Sequence, residues 1–237
     1  MRWIRQSRNG LWLLTVTLVW ASGCRTAPVG GDGGFPDEGP LRPASPVTSS
    51  DLARPRDVSI VYKVTLGQDA GRDRLLIVQG DDQGWLATLT GWNRLRMSRT
   101  ALGAVQTHFE EDLVSQVRVE YDPPVTVLPA RLAVGQPFEG ESSVRVFSLH
   151  DGSLRTRGTC RYRVELIGRQ MITTPAGRFD AYIVRTRRHM KLSLADAIIT
   201  WTDAYDPKRG QVAHRLVKKV RLLGFLPTQS MREMRLK

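Results

Sequence analysis

The segment FEGESSVRVFSLHDGSLRTRGTCRYRVELI, residues 138–167, decides the fold. Two long runs of β-branched, aromatic and alternating polar residues, Phe138 to Leu149 and Leu154 to Ile167, flank the step Asp151-Gly152. Both residues of that step tolerate the positive φ that a tight hairpin turn requires. The segment therefore predicts an antiparallel hairpin with long arms.

Similar strand-like runs separated by turn residues continue through residues 57–237. They cover Val58 to Val64, Leu75 to Val78, Trp85 to Thr90, Trp92 to Arg99, Leu102 to Phe109, Leu113 to Tyr121, Phe179 to Leu192, Ile198 to Tyr205, Gln211 to Leu222 and Met231 to Leu236. Roughly ten such strands with short connections predict an all-β domain, an antiparallel sheet forming a half-open barrel. One or two short helices stay open as alternatives, over Ala101 to Val117 and over residues 192–197.

The first 23 residues have the three parts of a secretory signal peptide. Arg2, Arg5 and Arg8 form a positive start, an apolar run extends from Leu11 to Trp20, and small residues precede Cys24. The apolar run is too short for a membrane-spanning helix, which needs about 20 residues. Residues 1–23 are therefore expected to be a signal peptide that is removed after export.

The sequence Ala-Ser-Gly-Cys at residues 21–24 resembles the lipobox of bacterial lipoproteins. This resemblance implies that Cys24 becomes the new amino terminus and carries the lipid that holds the chain to a membrane. Position −3 is Ala21, where leucine is usual. Residue 25 is Arg, not the Asp that favours inner-membrane retention in enteric lipoproteins, so in a Gram-negative host the resemblance points to the outer membrane.

Residues 24–56 form the next segment, which begins with the lipidated cysteine. It contains Gly30-Gly31-Asp32-Gly33-Gly34 followed by five prolines, without apolar periodicity. Such a composition predicts a disordered linker that stands the folded domain off the membrane.

Two stretches of the domain carry a family resemblance. The first contains YDPP at residues 121–124 and VGQPF at 134–138; the second contains TTPAGRFDA at 173–181, with YDPKRGQV at 205–212. They resemble the DUF3108-like envelope proteins, over about residues 115–222. The resemblance implies a half-open barrel like those of lipoprotein carriers and lipid-handling modules, and it brings no catalytic residues.

The chain is strongly basic, with a formal net charge of +12. Residues two apart in a strand share a face. The sequence therefore predicts a basic face that would form a stripe if its two strands pair: Arg185, Arg187, His189, Lys191, Arg215, Lys219 and Arg221. Such a face attracts anionic lipid or envelope polymer. Export would remove cytoplasmic nucleic acid from its partners, so we expect none, and a solvated sheet surface is the alternative.

Three tryptophans, Trp85, Trp92 and Trp201, are candidates to line a hydrophobic groove, although core packing would also explain them. The four histidines lack metal-site spacing, no G-x-S-x-G motif occurs, and the acidic run 110–112 has the character of a solvated turn. We therefore expect no metal, no cofactor and no catalytic site.

These observations favour a membrane-anchored, non-enzymatic envelope module that binds a lipid, an acyl chain or a partner protein. A scaffold that binds an anionic envelope polymer through its basic face is the alternative.

Overall fold

A computed structural model describes residues 34–53, 57–222 and 226–237. The predicted signal peptide and Cys24 lie outside these residues. One short helix, α1, covers Ser49–Leu52. The strands are β1 Val47–Thr48, β2 Val58–Leu66, β3 Asp73–Asp81, β4 Gly84–Leu89, β5 Asn93–Arg99, β6 Val105–Asp112, β7 Val117–Leu128, β8 Arg131–Leu132, β9 Phe138–Ser148, β10 Leu154–Thr174, β11 Gly177–Leu192, β12 Ala195–Asp206, β13 Gly210–Leu222 and β14 Leu226–Leu236.

Twelve of these strands form one antiparallel ring in the order β10-β11-β12-β13-β14-β2-β3-β4-β5-β6-β7-β9, with β9 pairing β10 again. The all-β antiparallel prediction is confirmed. The ring is complete, whereas the sequence suggested a half-open barrel. Closure comes from β14, which pairs with β2 at the other end of the sequence, Met234 opposite Val64. The two remaining strands, β1 and β8, pair with each other.

The predicted hairpin turn at Asp151-Gly152 forms, and a second tight turn joins β12 to β13. Gly152 has φ +70° between β9 and β10, and Gly210 has φ +84° after the turn that joins β12 to β13. In that second turn, Oδ1 of Asp206 accepts hydrogen bonds from the amides of Lys208 and Arg209, both at 2.9 Å. Glycine is favoured at such positions because it lacks the Cβ that makes a positive φ costly.

Side chains alternate between the interior and the outer surface of the barrel. In the first part of β10, Cys160 and Val164 are buried while Arg161 and Arg163 are exposed. A register shift between Leu166 and Gly168 is a β-bulge. Because a bulge adds one residue to a strand, it exchanges the two faces. Later residues of β10 therefore bury their side chains on the outer surface.

The segment before the barrel covers that outer surface. Phe35 is 1% exposed and packs in an apolar cluster with Ile172 and Ile183. Gln170 donates hydrogen bonds to the carbonyls of Phe35 (3.0 Å) and Gly39 (2.6 Å) and accepts one from the Phe35 amide (2.9 Å). The expected disorder of residues 24–56 is therefore wrong for residues 34–53. The composition is turn-rich, but the side chains of Phe35, Val47 and Leu52 are buried against the barrel.

Helix α1 lies across one end of the barrel. Thr48 and Asp51 form a capping box, with the Thr48 amide donating to Oδ2 of Asp51 at 3.0 Å. Ser49 Oγ donates to the Gly103 carbonyl in the β5–β6 turn at 2.5 Å, and Leu52 is 1% exposed. Leu52 thus inserts into the barrel opening.

The helix alternatives at other positions are wrong. The segment Ala101 to Val117 contains a turn and β6, and residues 193–194 form the tight turn between β11 and β12. In β6 the side chains alternate between the barrel interior and its surface, which the loose spacing of apolar residues did not distinguish from a helix. No helix in the described part of the chain is both long and apolar enough to cross a membrane.

Candidate ligand cavity in the barrel

A cavity of about 370 Å³ lies inside the barrel beneath α1. Ligand pockets in proteins commonly begin at about 300 Å³. Its apolar wall comes from inward-facing residues of β2 to β5: Ile60, Leu76, Val78, Ala87, Leu95 and Met97. One end is bounded by Leu52 of α1 and by the turn at Lys208–Gly210.

The opposite wall is polar and aromatic. Arg188 on β11 and Trp201 on β12 face the cavity together with Asp203 and with His214 on β13. These strands are neighbours in the barrel, with Asp203 directly opposite His214. The cavity is therefore amphipathic, with hydrocarbon on one side and hydrogen-bonding groups on the other.

Arg188 is the most deeply buried charge on this wall, with 3% of its surface exposed. Its Nη1 donates to the hydroxyl of Tyr121 at 3.1 Å and to Oε2 of Glu110 at 3.4 Å. The guanidinium carbon lies 4.4 Å from the centre of the Trp201 ring. Burial disfavours the charged form, but the nearby Tyr121 and Glu110 outweigh it, and the pKa of Arg188 lies above its ordinary value. The guanidinium is therefore a fixed cation.

One buried nitrogen of this guanidinium makes no hydrogen bond to the described residues. Arg188 Nε is buried and has no hydrogen-bond partner among the described residues. A buried donor without an acceptor costs free energy, on the order of 1–3 kcal/mol. The site therefore has hydrogen-bonding capacity that its protein neighbours do not use fully. Tyr121 remains a neutral phenol because burial raises its pKa.

Asp203 and His214 form a second polar group on this wall. Oδ1 of Asp203 lies 2.6 Å from Nδ1 of His214 and accepts a further hydrogen bond from Nε2 of Gln211 at 2.7 Å. Tyr62 in turn donates to the Gln211 carbonyl at 2.8 Å. A carboxylate at Nδ1 fixes the ring orientation and leaves Nε2 for other partners. The pair can hold a hydroxyl or carbonyl group of a bound molecule.

The predicted groove tryptophans separate into two groups. Trp85 and Trp201 both line the cavity, on opposite walls. Trp92 does not line it. It is buried with its Nε1 donating to Asp69 at 2.9 Å, and the guanidinium carbons of Arg74 and Arg232 lie 5.4 and 4.9 Å from its ring centre. Its contacts are those of a structural core residue.

All seven residues of the predicted basic face lie on the outer surface of one wall. Their two strands do not pair, because β12 runs between β11 and β13. The predicted stripe is therefore two parallel rows of side chains. The rows are about 10 Å apart, because two strand spacings separate β11 from β13. Two of the seven residues have acidic neighbours. Nη2 of Arg185 lies 2.8 Å from Oε1 of Glu165, and Nε2 of His189 lies 2.9 Å from Oδ1 of Asp196.

The cavity residues Arg188, Glu110 and Leu52 were not identified as site residues from the sequence. Arg188 stands within the same basic run as Arg187, but its even position turns it inward with Thr186 and Met190. The acidic run 110–112 is not a turn: it ends strand β6, where Glu110 faces the cavity and Glu111 pairs with Arg94 at 3.1 Å. The alternation around Arg188 was the signal that could have revealed it.

Within the described residues, no group of three or more His, Cys, Asp or Glu side chains could hold a metal ion. Cys160 is a free thiol in the core, and burial raises its pKa to about 11. A thiol with that pKa is a poor nucleophile at neutral pH.

Comparison with known proteins gives little similarity. No known protein family matches the sequence, so the resemblance to the DUF3108-like proteins has no family match behind it. No curated protein matches either. Among solved structures, a protein from Parabacteroides distasonis that is provisionally described as a lipoprotein is similar at 16% identity and a TM-score of 0.38, over 76% of this chain and 94% of that one.

Proposed function

We propose that this protein is a lipid-anchored envelope protein whose barrel binds an acyl chain, without catalysing a reaction. The observation that carries the proposal is the amphipathic cavity, in which an apolar wall faces the buried Arg188. An acyl chain would lie against Leu76, Val78 and Leu95. Its polar head would accept hydrogen bonds from the Arg188 guanidinium at the other wall.

The anchor is the second part of the proposal. Cys24 follows a leader of the signal-peptide type and three small residues. One acyl chain holds a protein only marginally to a bilayer, whereas two or more hold it stably. A diacylated Cys24 would keep the barrel at a membrane surface, where acyl-chain ligands are abundant.

The experiment is a binding titration with a fluorescent fatty acid, followed by native mass spectrometry of the loaded protein. Unaltered protein should bind one molecule in the barrel. Ala87→Phe places a phenyl group in the cavity and should reduce affinity at least tenfold, because overpacking removes the space for the ligand. Thr88→Phe on the same strand is the matched control, since its side chain points away from the cavity.

Equal affinity for the unaltered protein and Ala87→Phe would place the ligand elsewhere and refute the cavity proposal. The anchor is tested separately by the mass of protein extracted from its native membrane. A mass beginning at Cys24 with added acyl chains supports it, and an unmodified Cys24 contradicts it.

A further inference from the structure

We propose that the outer wall formed by β11, β12 and β13 lies on the anionic surface of the membrane that holds the chain. This inference goes beyond the binding cavity, which opens inside the barrel, and rests on the proposed anchor only for the position of the tether. It assigns a partner, anionic phospholipid head groups, to the part of this wall that the segment before the barrel leaves uncovered.

The charge of this wall is the first observation. The outward positions of β11 are Arg185, Arg187, His189 and Lys191, and β13 adds Arg215, Lys219 and Arg221. Asp196 is the acidic residue on the outward positions of β12 between them. Four of the cations are exposed and make no ion pair with any residue that the structure describes: Arg187, Lys191, Lys219 and Arg221. Their charge is available to a partner.

An exposed leucine is the second observation, and it favours a bilayer over a soluble polymer. Leu194 is 60% exposed at the tip of the turn between β11 and β12. Lys191 precedes it by three residues, and Arg221 lies opposite Asp196 on the next strand. Leu154, 44% exposed, begins the neighbouring strand β10. An apolar tip flanked by cations suits the boundary between head groups and acyl chains, whereas a polyanion offers no place for a leucine.

The position of the tether is the third observation. Gly34 lies against the Gln170 side chain on the outer surface of β10, on the same side of the barrel as β11. Glu165 lies five residues before Gln170 on β10 and is paired with Arg185 on β11. At 3.3 Å per residue, Arg185 is therefore roughly 17 Å along the strand from the Gln170 contact. Cys24 precedes Gly34 by ten residues, which span at most about 36 Å. The tether is therefore long enough to let Cys24 reach a membrane that lies against the basic wall.

The test uses the full chain with Cys24→Ser, so that the face must bind without the lipid. Partition is measured by sedimentation with vesicles of phosphatidylcholine, with and without phosphatidylglycerol. We expect binding only to the anionic vesicles. The variant R187E/K191E/K219E/R221E should bind at least a hundredfold more weakly, because each basic residue contributes about a fivefold factor near an anionic surface.

The double variant R187E/K219E has a matched control, R131E/R178E, which changes the net charge equally with two exposed residues at the other end of the barrel, outside the cavity lining, and it should keep most of the binding. Leu194→Ser should weaken vesicle binding severalfold without changing its salt dependence. Circular dichroism confirms that each variant is folded.

Equal losses in R187E/K219E and R131E/R178E would show a general charge effect and overturn the proposal. Retention of binding by Leu194→Ser, together with tight binding to soluble polyphosphate, would overturn it in favour of a polymer partner. Ala87→Phe should bind vesicles as well as the unaltered protein does, because its phenyl group fills the cavity and leaves the outer face unchanged. Either proposal can therefore fail without the other.

Discussion

Removing the buried cation alone should cost about 1–2 kcal/mol more stability than removing it together with its partner. In Arg188→Met the side-chain volume is nearly kept, but Glu110 loses the cation that faces it at 3.4 Å. Breaking a buried ion pair by deleting one partner costs about 3–5 kcal/mol. The Glu110 side chain is 21% exposed, so water can reach it and the cost should lie near the low end, about 3 kcal/mol.

The double variant R188M/E110Q removes both charges. What remains is the loss of the hydrogen bond to Tyr121 and of the contact with the Trp201 ring, together about 1–2 kcal/mol. The unpartnered Arg188 Nε also disappears, which offsets part of this loss. The double variant should therefore be more stable than the single variant Arg188→Met.

The assay is urea unfolding followed by tryptophan fluorescence, supported by thermal melting. For a domain of this size, 1 kcal/mol corresponds to roughly 2–4 °C in Tm, so Arg188→Met should melt about 6–12 °C lower. E110Q alone completes the double-mutant cycle. Additive losses in the cycle would refute the reasoning, because they would mean that the two charges do not stabilise one another.

Other perturbations test the plug, the core and the docked segment. Leu52→Ala should destabilise the barrel by about 2–5 kcal/mol in denaturant, since the leucine is 1% exposed; a loss under 1 kcal/mol would show that α1 does not hold the opening. Burial raises the pKa of Tyr62 and Tyr121, so their stabilisation is complete below about pH 10, where unfolded tyrosine titrates, and is lost as the pH rises through the folded-state pKa. Tyrosinate absorbance from these two rings should therefore appear together with unfolding; its appearance in folded protein would contradict their burial. Cys160, with its pKa raised to about 11, should resist alkylation at pH 8 until urea unfolds the chain, as mass spectrometry can follow. Gln170→Ala should release the segment that begins at residue 34, measured as faster limited proteolysis there with an unchanged barrel core.

Turn chemistry made most of the sheet predictable. Gly152 has a positive φ in the hairpin turn that the Asp-Gly step predicted, and Gly177 and Gly210 have positive φ in the turns that join β10 to β11 and β12 to β13. Ring closure was not predictable, because the pairing of β14 with β2 depends on residues about 170 positions apart in sequence. No local signal records such a contact.

The site was harder to predict than the fold. The two-residue period of the run 185–191 places Arg185, Arg187, His189 and Lys191 on the outer surface and Arg188 inside the barrel. Only the outward residues were predicted to form a charged face. The two-residue period of β11 turns Arg188 inward, and its charge is accommodated there because Tyr121, Glu110 and Trp201 contact it from β7, β6 and β12. The contacts of this arginine come from three strands that are distant from it in sequence, so local sequence patterns could not predict them.

The closed ring also has a consequence for the order in which the barrel can form. Leu236 of β14 pairs with Tyr62 of β2, so the ring cannot close before β14 has been synthesised. Until then β2 would present a bare strand edge, with unpaired amides and carbonyls that another chain could join. Contacts between residues so far apart also make folding slow. A chain that lost its last ten residues would keep nearly all of its core and still expose that edge, so it would be expected to aggregate rather than unfold.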